Sequence, residues 1–215
     1  MKKFVIALDG PSGAGKSSVG KMIAEKYLMK YFQSSLIYRT LAYLCMQRGI
    51  KPEEVERIIK LAPTIDYSLD NTDINLNTEE VGNYTSKISA IPEIRAITNS
   101  KLRNIIEQND RIIMEGRDIG SVVAVNAHLK IYLTANIQTR AERRYKQLCL
   151  EGKECILSDV LSLMQERDAR DKSRKNAPLV IAKDALVIDS SDLTLQEIML
   201  KIEQHIATHN AGELL

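Results

Sequence analysis

The chain has 215 residues, 44% hydrophobic and 27% charged; this is the size of one domain, or of one core with an elaboration, and enough to bury a substantial apolar core. With 30 basic and 28 acidic residues the net charge is +2, which asks for no nucleic acid and no membrane surface as partner, and no apolar run nears the roughly 20 residues of a membrane span. The start, MKKFVIALDG, has too short an apolar run for a signal peptide, and Cys45, Cys149 and Cys155 form no CxxC pair, so reduced thiols in a cytoplasmic protein are expected rather than a disulfide framework or a zinc site.

Phe4 to Leu8 (FVIAL) is a continuous apolar run, as in a strand buried on both faces. The next segment, GPSGAGKS at 10–17, fits the pattern G-x-x-x-x-G-K-[ST] and lies between a predicted strand and a predicted helix. Such a loop cradles nucleotide phosphates on its backbone N–H groups and on the helix N-terminus. Gly10, Pro11, Ser12, Gly13, Ala14, Gly15, Lys16, Ser17 and Ser18 are therefore the expected ATP contacts. Lys16 would reach the β/γ-phosphates and the Ser17 hydroxyl would suit Mg²⁺.

Helix spacing covers Ser17 to about Lys30, Leu36 to Arg48 before Gly49, and Pro52 to Leu61. Residues 66–82, rich in Asp, Asn and Thr, read as a small polar excursion with brief alternation at Ile74 to Leu76. A helix is predicted over 93–109, then strands at Arg111 to Met114 and Leu129 to Leu133. Helices follow over about Ile137 to Leu150 and Ser158 to Lys172. Ala185 to Ile188 is a last strand, Thr194 to Ala207 a last helix, and the tail HNAGELL a frayed end. Strands alternating with helices predict an α/β fold, a parallel sheet with helices on both faces. Ligands then bind at the carboxyl ends of the strands.

No NKxD follows the phosphate loop, and RIIMEGRD resembles a Walker B strand only loosely, through Glu115 and Asp118. A small-molecule kinase fits better, because arginines stand after several strands. They are Arg39, Arg95, the pair Arg117-Asp118, and the cluster RDARDKSR at 167–174. Two anionic substrates held together need cations, and a guanidinium binds phosphate bidentately. In that cluster Arg167 lies four residues before Asp171 and Arg174 three after it, so a helix would turn both toward Asp171. His128, His205 and His209 show no ligand spacing.

GPSGAGKS, YTSKISAIPEIR (84–95), EGRDIGSVV (115–123), KIYLTA (130–135), RAERRYKQL (140–148) and RDARDKSRKNAPL (167–179) together resemble the bacterial cytidylate kinases, over about residues 4–204. The resemblance implies a P-loop kinase that moves a phosphoryl group from ATP to CMP or dCMP with Mg²⁺. It implies one domain, 1–215, with an acceptor-binding insertion at about 64–92 and a helical lid at about 140–157. By the same resemblance Arg39 and Arg117 would hold the acceptor phosphate, Ser34 would be a further substrate contact, and Ser86, Arg95, Asp118 and Arg174 would surround the cytosine. Asp171 would take the ribose hydroxyls, with Arg167 beside phosphates and sugar. Arg143 and Arg144 would belong to the lid, and Lys16, Arg117, Arg143 and Arg167 would act on the transferring group. No general base stands out, and a monomer is expected.

Two departures from the family pattern stand out. Gln33-Ser34-Ser35 occupies the place of an Asp, a Ser or Thr, and a Gly, so a carboxylate and a glycine's backbone freedom are lost; weaker acceptor binding or a displaced Arg39 is the expectation. The polar insertion is also shorter than the family's. A kinase of another nucleoside monophosphate or small molecule, and a nucleotide binder without turnover, stay open at the level of sequence.

Overall fold

The computed structural model describes residues 3–65 and 75–209. Its centre is a five-stranded sheet in the order β2-β3-β1-β4-β5, with every pairing parallel. The strands are β1 (Phe4–Asp9), β2 (Lys30–Gln33), β3 (Arg111–Gly116), β4 (Leu129–Thr134) and β5 (Leu186–Asp189). β1 is central and all six of its residues are buried. Phe4, Ile6 and Leu8 face a core shared with Val19, Ile23, Ile198 and Ile202. Val5 and Ala7 face the opposite core, with Ile37, Leu102 and Ile112. A strand covered on both faces has no polar side to show, hence the unbroken apolar run in its sequence.

Helices α1 (Lys16–Lys26) and α8 (Leu195–His209) pack on the first face, and α2 (Ser35–Gln47) and α5 (Pro92–Glu107) contribute to the second. Two elaborations complete the fold. Helix α3 (Val55–Leu61) and helix α4 (Glu79–Ile88) join α2 and α5 around Leu41, Ile58, Val81 and Ile88. Helices α6 (Ile137–Leu150) and α7 (Leu157–Ser173) pair with each other through a small cluster, Ala141, Leu148, Val160 and Met164. Among the described residues no helix is long and apolar enough to cross a membrane.

Four elements differ from the sequence expectation, the simplest being α3, which begins at Val55 and leaves Pro52 in the turn before it. The first helix stops at Lys26, four residues early, because Leu28 takes a left-handed φ of 51°; that turn leads into β2 at Lys30, an edge strand with no apolar run of its own. The polar stretch 66–82 ends inside α4, whose start is capped by the Thr78 hydroxyl accepting from the Val81 N–H at 3.2 Å. Thr78 followed by Glu79 and Glu80 is a helix-start signal that the overall polarity masks. After Asp118 the chain makes a five-residue π turn, Ile119–Val123. The expected alternation at Ile74 and the frayed tail at 210–215 lie outside the described residues.

Candidate active site

The loops after β1, β2 and β3 meet at one end of the sheet, where the parallel pairing brings Asp9 level with Gly116 and Gln33 level with Glu115. The loop after β1 is fixed by sterics. Gly10 has φ 147°, and a Cβ there would stand 1.9 Å from the Leu133 carbonyl oxygen, so no other residue fits without moving β4. Gly13, at φ 77°, meets the Arg140 backbone on its other side. Lys16 opens α1 and lies buried, its Nζ donating to the Pro11 carbonyl at 2.8 Å. Burial first, and then Arg117, pull its pKa down to about 7; a bound polyphosphate would supply the missing counter-charge.

Beside Lys16 the Ser17 hydroxyl donates to the Glu115 carboxylate at 3.2 Å. Tyr31 donates to the other Glu115 oxygen at 2.6 Å, and the Gln33 amide donates to Ser17 at 3.1 Å and to Tyr31 at 2.8 Å. Among the described residues no three His, Cys, Asp or Glu side chains form a protein-only metal cage. Ser17 with Glu115 nevertheless gives a hard cation the one or two protein oxygens it takes when phosphates and water supply the others. Mg²⁺ therefore fits here, with Glu115 joining the predicted Ser17. Gln33 accordingly acts here as an amide donor to Ser17 and Tyr31.

Ser34 is buried and its N–H donates to the Glu115 carbonyl at 3.0 Å. A side chain at Gly116 would collide with the Ser34 hydroxyl at 2.7 Å and with Ile119. That close approach is the reason for the glycine before Arg117-Asp118. Ser35 opens α2 with helical backbone, so the missing glycine costs no strain at this position. Asp9, which sequence reading passed over, closes the other side of the turn. Its buried carboxylate accepts from the Ile119 and Gly120 N–H groups at 2.9 and 2.7 Å. Burial pushes its pKa up to about 6, against the pull of those two N–H groups, with Asp118 adding to the rise and Lys16 opposing it.

Arg39, Arg117 and Arg167 converge on the same cleft, of about 690 Å³, as Lys16 and Ser17. A Cβ on Gly82 would lie 3.7 Å from both the Arg39 and the Arg167 guanidinium. Burial, then Arg117, lowers the pKa of Arg167 to about 10; Arg39 is lowered by burial and by Arg117 as well. Asp171 and Glu79 offset these guanidiniums only in part, and the lowered pKa values of Arg39 and Arg167 mark a place suited to a further anion. Arg39 donates to the Leu76 carbonyl at 2.5 Å, which ties it to the short insertion. Arg117 donates to Asp171 at 3.0 Å. Burial alone would raise Asp171, but Arg117, Arg167 and Arg174 outweigh it and hold the pKa below the ordinary carboxylate range. Asp171 bonds Arg117, from another element, rather than Arg167 on its own helix. Helix α7 ends at Ser173, and Arg174 turns off it to lie 3.8 Å from Asp171 and 3.7 Å from Asp118.

Arg95 and Asp118 form a buried ion pair. Arg95 also lies over the Tyr38 ring at 5.8 Å and donates to the Ser89 carbonyl at 3.1 Å. Near this pair, buried polar atoms stand without hydrogen-bond partners: Ser86 Oγ, Arg95 Nε and the Arg174 nitrogen that meets Asp118 only as an ion pair, with Arg167 Nε nearer the cleft. Orphaned donors of this density in a native site point to a polar ligand. A cavity of about 420 Å³ bordered by Ser86, Asp171 and Arg174 opens beside them.

On the α6–α7 side the predicted residues divide. Arg143 donates to the Ser190 hydroxyl and carbonyl at 3.1 and 2.6 Å, and the Ser190 hydroxyl donates to the Ala14 carbonyl of the phosphate loop. Arg144 reaches across the cleft to Glu79 of α4. Arg140, not singled out from sequence, is the most engaged: it donates to Ala135 and Ser12 carbonyls at 2.8 and 3.1 Å and pairs with Asp168 at 2.6 Å. Its place in RAERR, one turn before Arg143-Arg144, gave no sign of this.

A phosphate loop at the end of a central parallel strand, faced by arginines from later elements, defines a small P-loop kinase. The fold is shared with a gluconokinase from Sinorhizobium meliloti, at 15% identity and a TM-score of 0.51 over 95% of this chain and 92% of that one. The family profile described as cytidylate kinase matches residues 6–208. A cytidylate kinase of Rickettsia rickettsii is 47% identical over 95% of this chain and 92% of its own length, and one of Rickettsia felis is 46% identical over the same shares. The chain belongs to the cytidylate kinase family.

Proposed function

We propose that this chain transfers the γ-phosphoryl group of ATP to CMP or dCMP, giving ADP and CDP or dCDP. The observation that carries this is the adjacency of Arg117 and Asp118. Arg117 borders the cleft of the phosphate loop, while Asp118 pairs with Arg95 and Arg174, and Arg174 shares the neighbouring cavity with Ser86 and Asp171. One dipeptide thus reads a phosphate and a base edge.

Gly10 to Ser18 hold the ATP phosphates, with Lys16 leaving Pro11 for the β/γ oxygens. Ser17 and Glu115 would hold Mg²⁺, which would supply charge neutralisation at the phosphates when bound. Ser34, Arg39 and Arg117 take the acceptor phosphate. Arg117, Arg143 and Arg167 spread positive charge over the group in flight, which is the main demand of a loose phosphoryl-transfer transition state. Asp171 receives the ribose hydroxyls. Asp118 accepts from the cytosine amine, and Ser86, Arg95 and Arg174 donate to its remaining edge atoms. Uracil would set a carbonyl against the Asp118 carboxylate, a buried mismatch costing about 1–3 kcal/mol. Residues 140–157 act as the lid, the 64–92 segment as the acceptor cover, and both belong to one domain. A monomer is part of this proposal, since none of the roles named here calls for a group from a second chain.

ADP release from ATP and Mg²⁺ tests the reading, with CMP, dCMP, UMP, AMP and GMP offered in turn. CMP and dCMP are expected to lead. Turnover led by another acceptor would overturn the base assignment, and ATP binding without acceptor-dependent turnover would overturn the kinase assignment.

A further inference from the structure

We infer that Cys149 and Cys155 form a reversible intramolecular disulfide that restricts nucleotide entry. The two sulfurs are 4.0 Å apart, on either side of the turn that joins α6 to α7. Cys149 is exposed in the last turn of α6, and Cys155 is half-buried against the α6–α7 apolar cluster. The intervening turn carries Gly152 at φ 71° with open space around it. The C-x5-C spacing hides this pairing in the sequence, and the buried Cys45 lies in the other helical elaboration.

Chemistry assigns the two thiols different parts. Burial and the Cys149 contact raise the pKa of Cys155, with Arg144 opposing. The exposed Cys149 is thus the first nucleophile toward a low-molecular-weight disulfide. Its thiolate attacks one sulfur of the oxidant, and the other leaves as a thiol after taking a proton. Cys155 then attacks the Cys149 sulfur and expels the second thiol. The protein loses two electrons and two protons, and the oxidant becomes two thiols. A small exposed ring of this kind has an oxidising potential and is readily reduced again.

The consequence follows from position. Arg144, Gln147, Glu154 and Cys155 border the cleft that also holds Lys16 and Ser17. Bonding requires the sulfurs to close to about 2 Å. That draws the turn toward the end of α6 and fixes the α6–α7 corner in one arrangement.

The full-length chain is incubated with glutathione disulfide, denatured, alkylated and digested with trypsin, which cuts at Lys153 between the two cysteines. The expected product is a linked Cys149–Cys155 peptide pair that separates on reduction, with Cys45 alkylated. The KM for ATP in the oxidised protein is expected to rise at least about fivefold, the lower end of coupling between sites, and to return with dithiothreitol. Cys149→Ser should leave the KM insensitive to the oxidant. Glutathione adducts that never resolve, intermolecular links, or a Cys149→Ser chain inhibited equally would each overturn the proposal, as would a formed link with unchanged KM. The kinetic arm rests on the ATP reading; the peptide map does not, so the two can fail separately.

Discussion

The donor side of the cleft is one contiguous loop, Gly10 to Ser17, shaped by backbone angles and by the β4 carbonyl that touches Gly10. The acceptor side is a mesh of side chains from β3, α2, α4, α5 and α7, joined by Arg95–Asp118, Arg174–Asp118 and Arg117–Asp171 contacts. The first is rigid before any ligand arrives, because sterics leave it no alternative. In the second, guanidiniums and carboxylates satisfy one another and must exchange those partners for substrate, so its affinity depends on charge balance. Substitutions should therefore act differently on the two sides.

The largest effects belong to the donor loop. Lys16→Met is expected to lower kcat by about 10²–10³ fold, the usual loss when a charge-stabilising donor is removed. The same change should raise the melting temperature of the nucleotide-free chain, since a buried ammonium bonded to one carbonyl burdens the fold. A lower melting temperature together with lost activity would mean that Lys16 is structural. Gly10→Ala should destabilise by about 3 kcal/mol or more, through a left-handed φ and the collision with Leu133. Calorimetry measures this directly.

On the acceptor side, Asp118→Asn turns an acceptor into an amide that can donate to a uracil carbonyl. The CMP-to-UMP ratio of kcat/KM should fall by about tenfold or more, the equivalent of 1–3 kcal/mol. An unchanged ratio would remove Asp118 from base reading.

These two sides also differ in how legible they are. A backbone site is a local pattern, so GPSGAGKS with its flanking strand and helix specified the donor loop, and Phe4 to Leu8 the central strand. The acceptor residues lie far apart in the chain, and Arg39, Ser86 or Arg95 alone looks like an ordinary polar helix residue. They could be named only because the motifs resemble a family. Asp9 and Arg140 escaped, and Glu115 showed only as a loose Walker B acid, because their importance is a matter of tertiary partners: backbone N–H groups of a distant turn, the Ser12 carbonyl, and a hydroxyl on α1. β2 escaped because an edge strand of one exposed and three half-buried residues carries little apolar pattern.

Asp9 joins the two sides, and its effect should be intermediate. Asp9→Asn keeps the shape but replaces one of two acceptors facing the Ile119 and Gly120 N–H groups, so the turn carrying Arg117-Asp118 should loosen. The KM for CMP is expected to rise about tenfold, with the ATP KM little changed, consistent with a lost hydrogen bond to a charged group. The groups facing Asp9 are Lys16 on α1, Asp118 after β3 and Tyr132 on β4. Its pKa is raised from 3.8 to about 6, so the native state holds an extra proton between those values. Stability from this group is then fully present below 3.8 and is lost as pH rises through about 6. Activity runs the other way, because the ionised form holds both N–H groups. In the wild type kcat/KM for CMP should fall below pH 6, and in Asp9→Asn that limb should vanish.

The smallest effect is expected where the elaborations touch, at Arg144 and Glu79. Glu79 is about half exposed, 53% by side chain, against 20% for Arg144, so water and salt screen the pair and it contributes about 1 kcal/mol or less. It nevertheless links α6 to the short acceptor insertion, and Arg39 is fixed in the same segment through Leu76. If ATP recruits Arg144, the pair must break first, and its loss should help ATP rather than hinder it. Glu79→Gln is therefore expected to lower the ATP KM by about twofold at low ionic strength and to have no effect near 1 M salt, where the Debye length is about 3 Å. A rise in the ATP KM would instead make Glu79 a support that orients Arg144 toward nucleotide, and would place the two sides of the cleft under one electrostatic control.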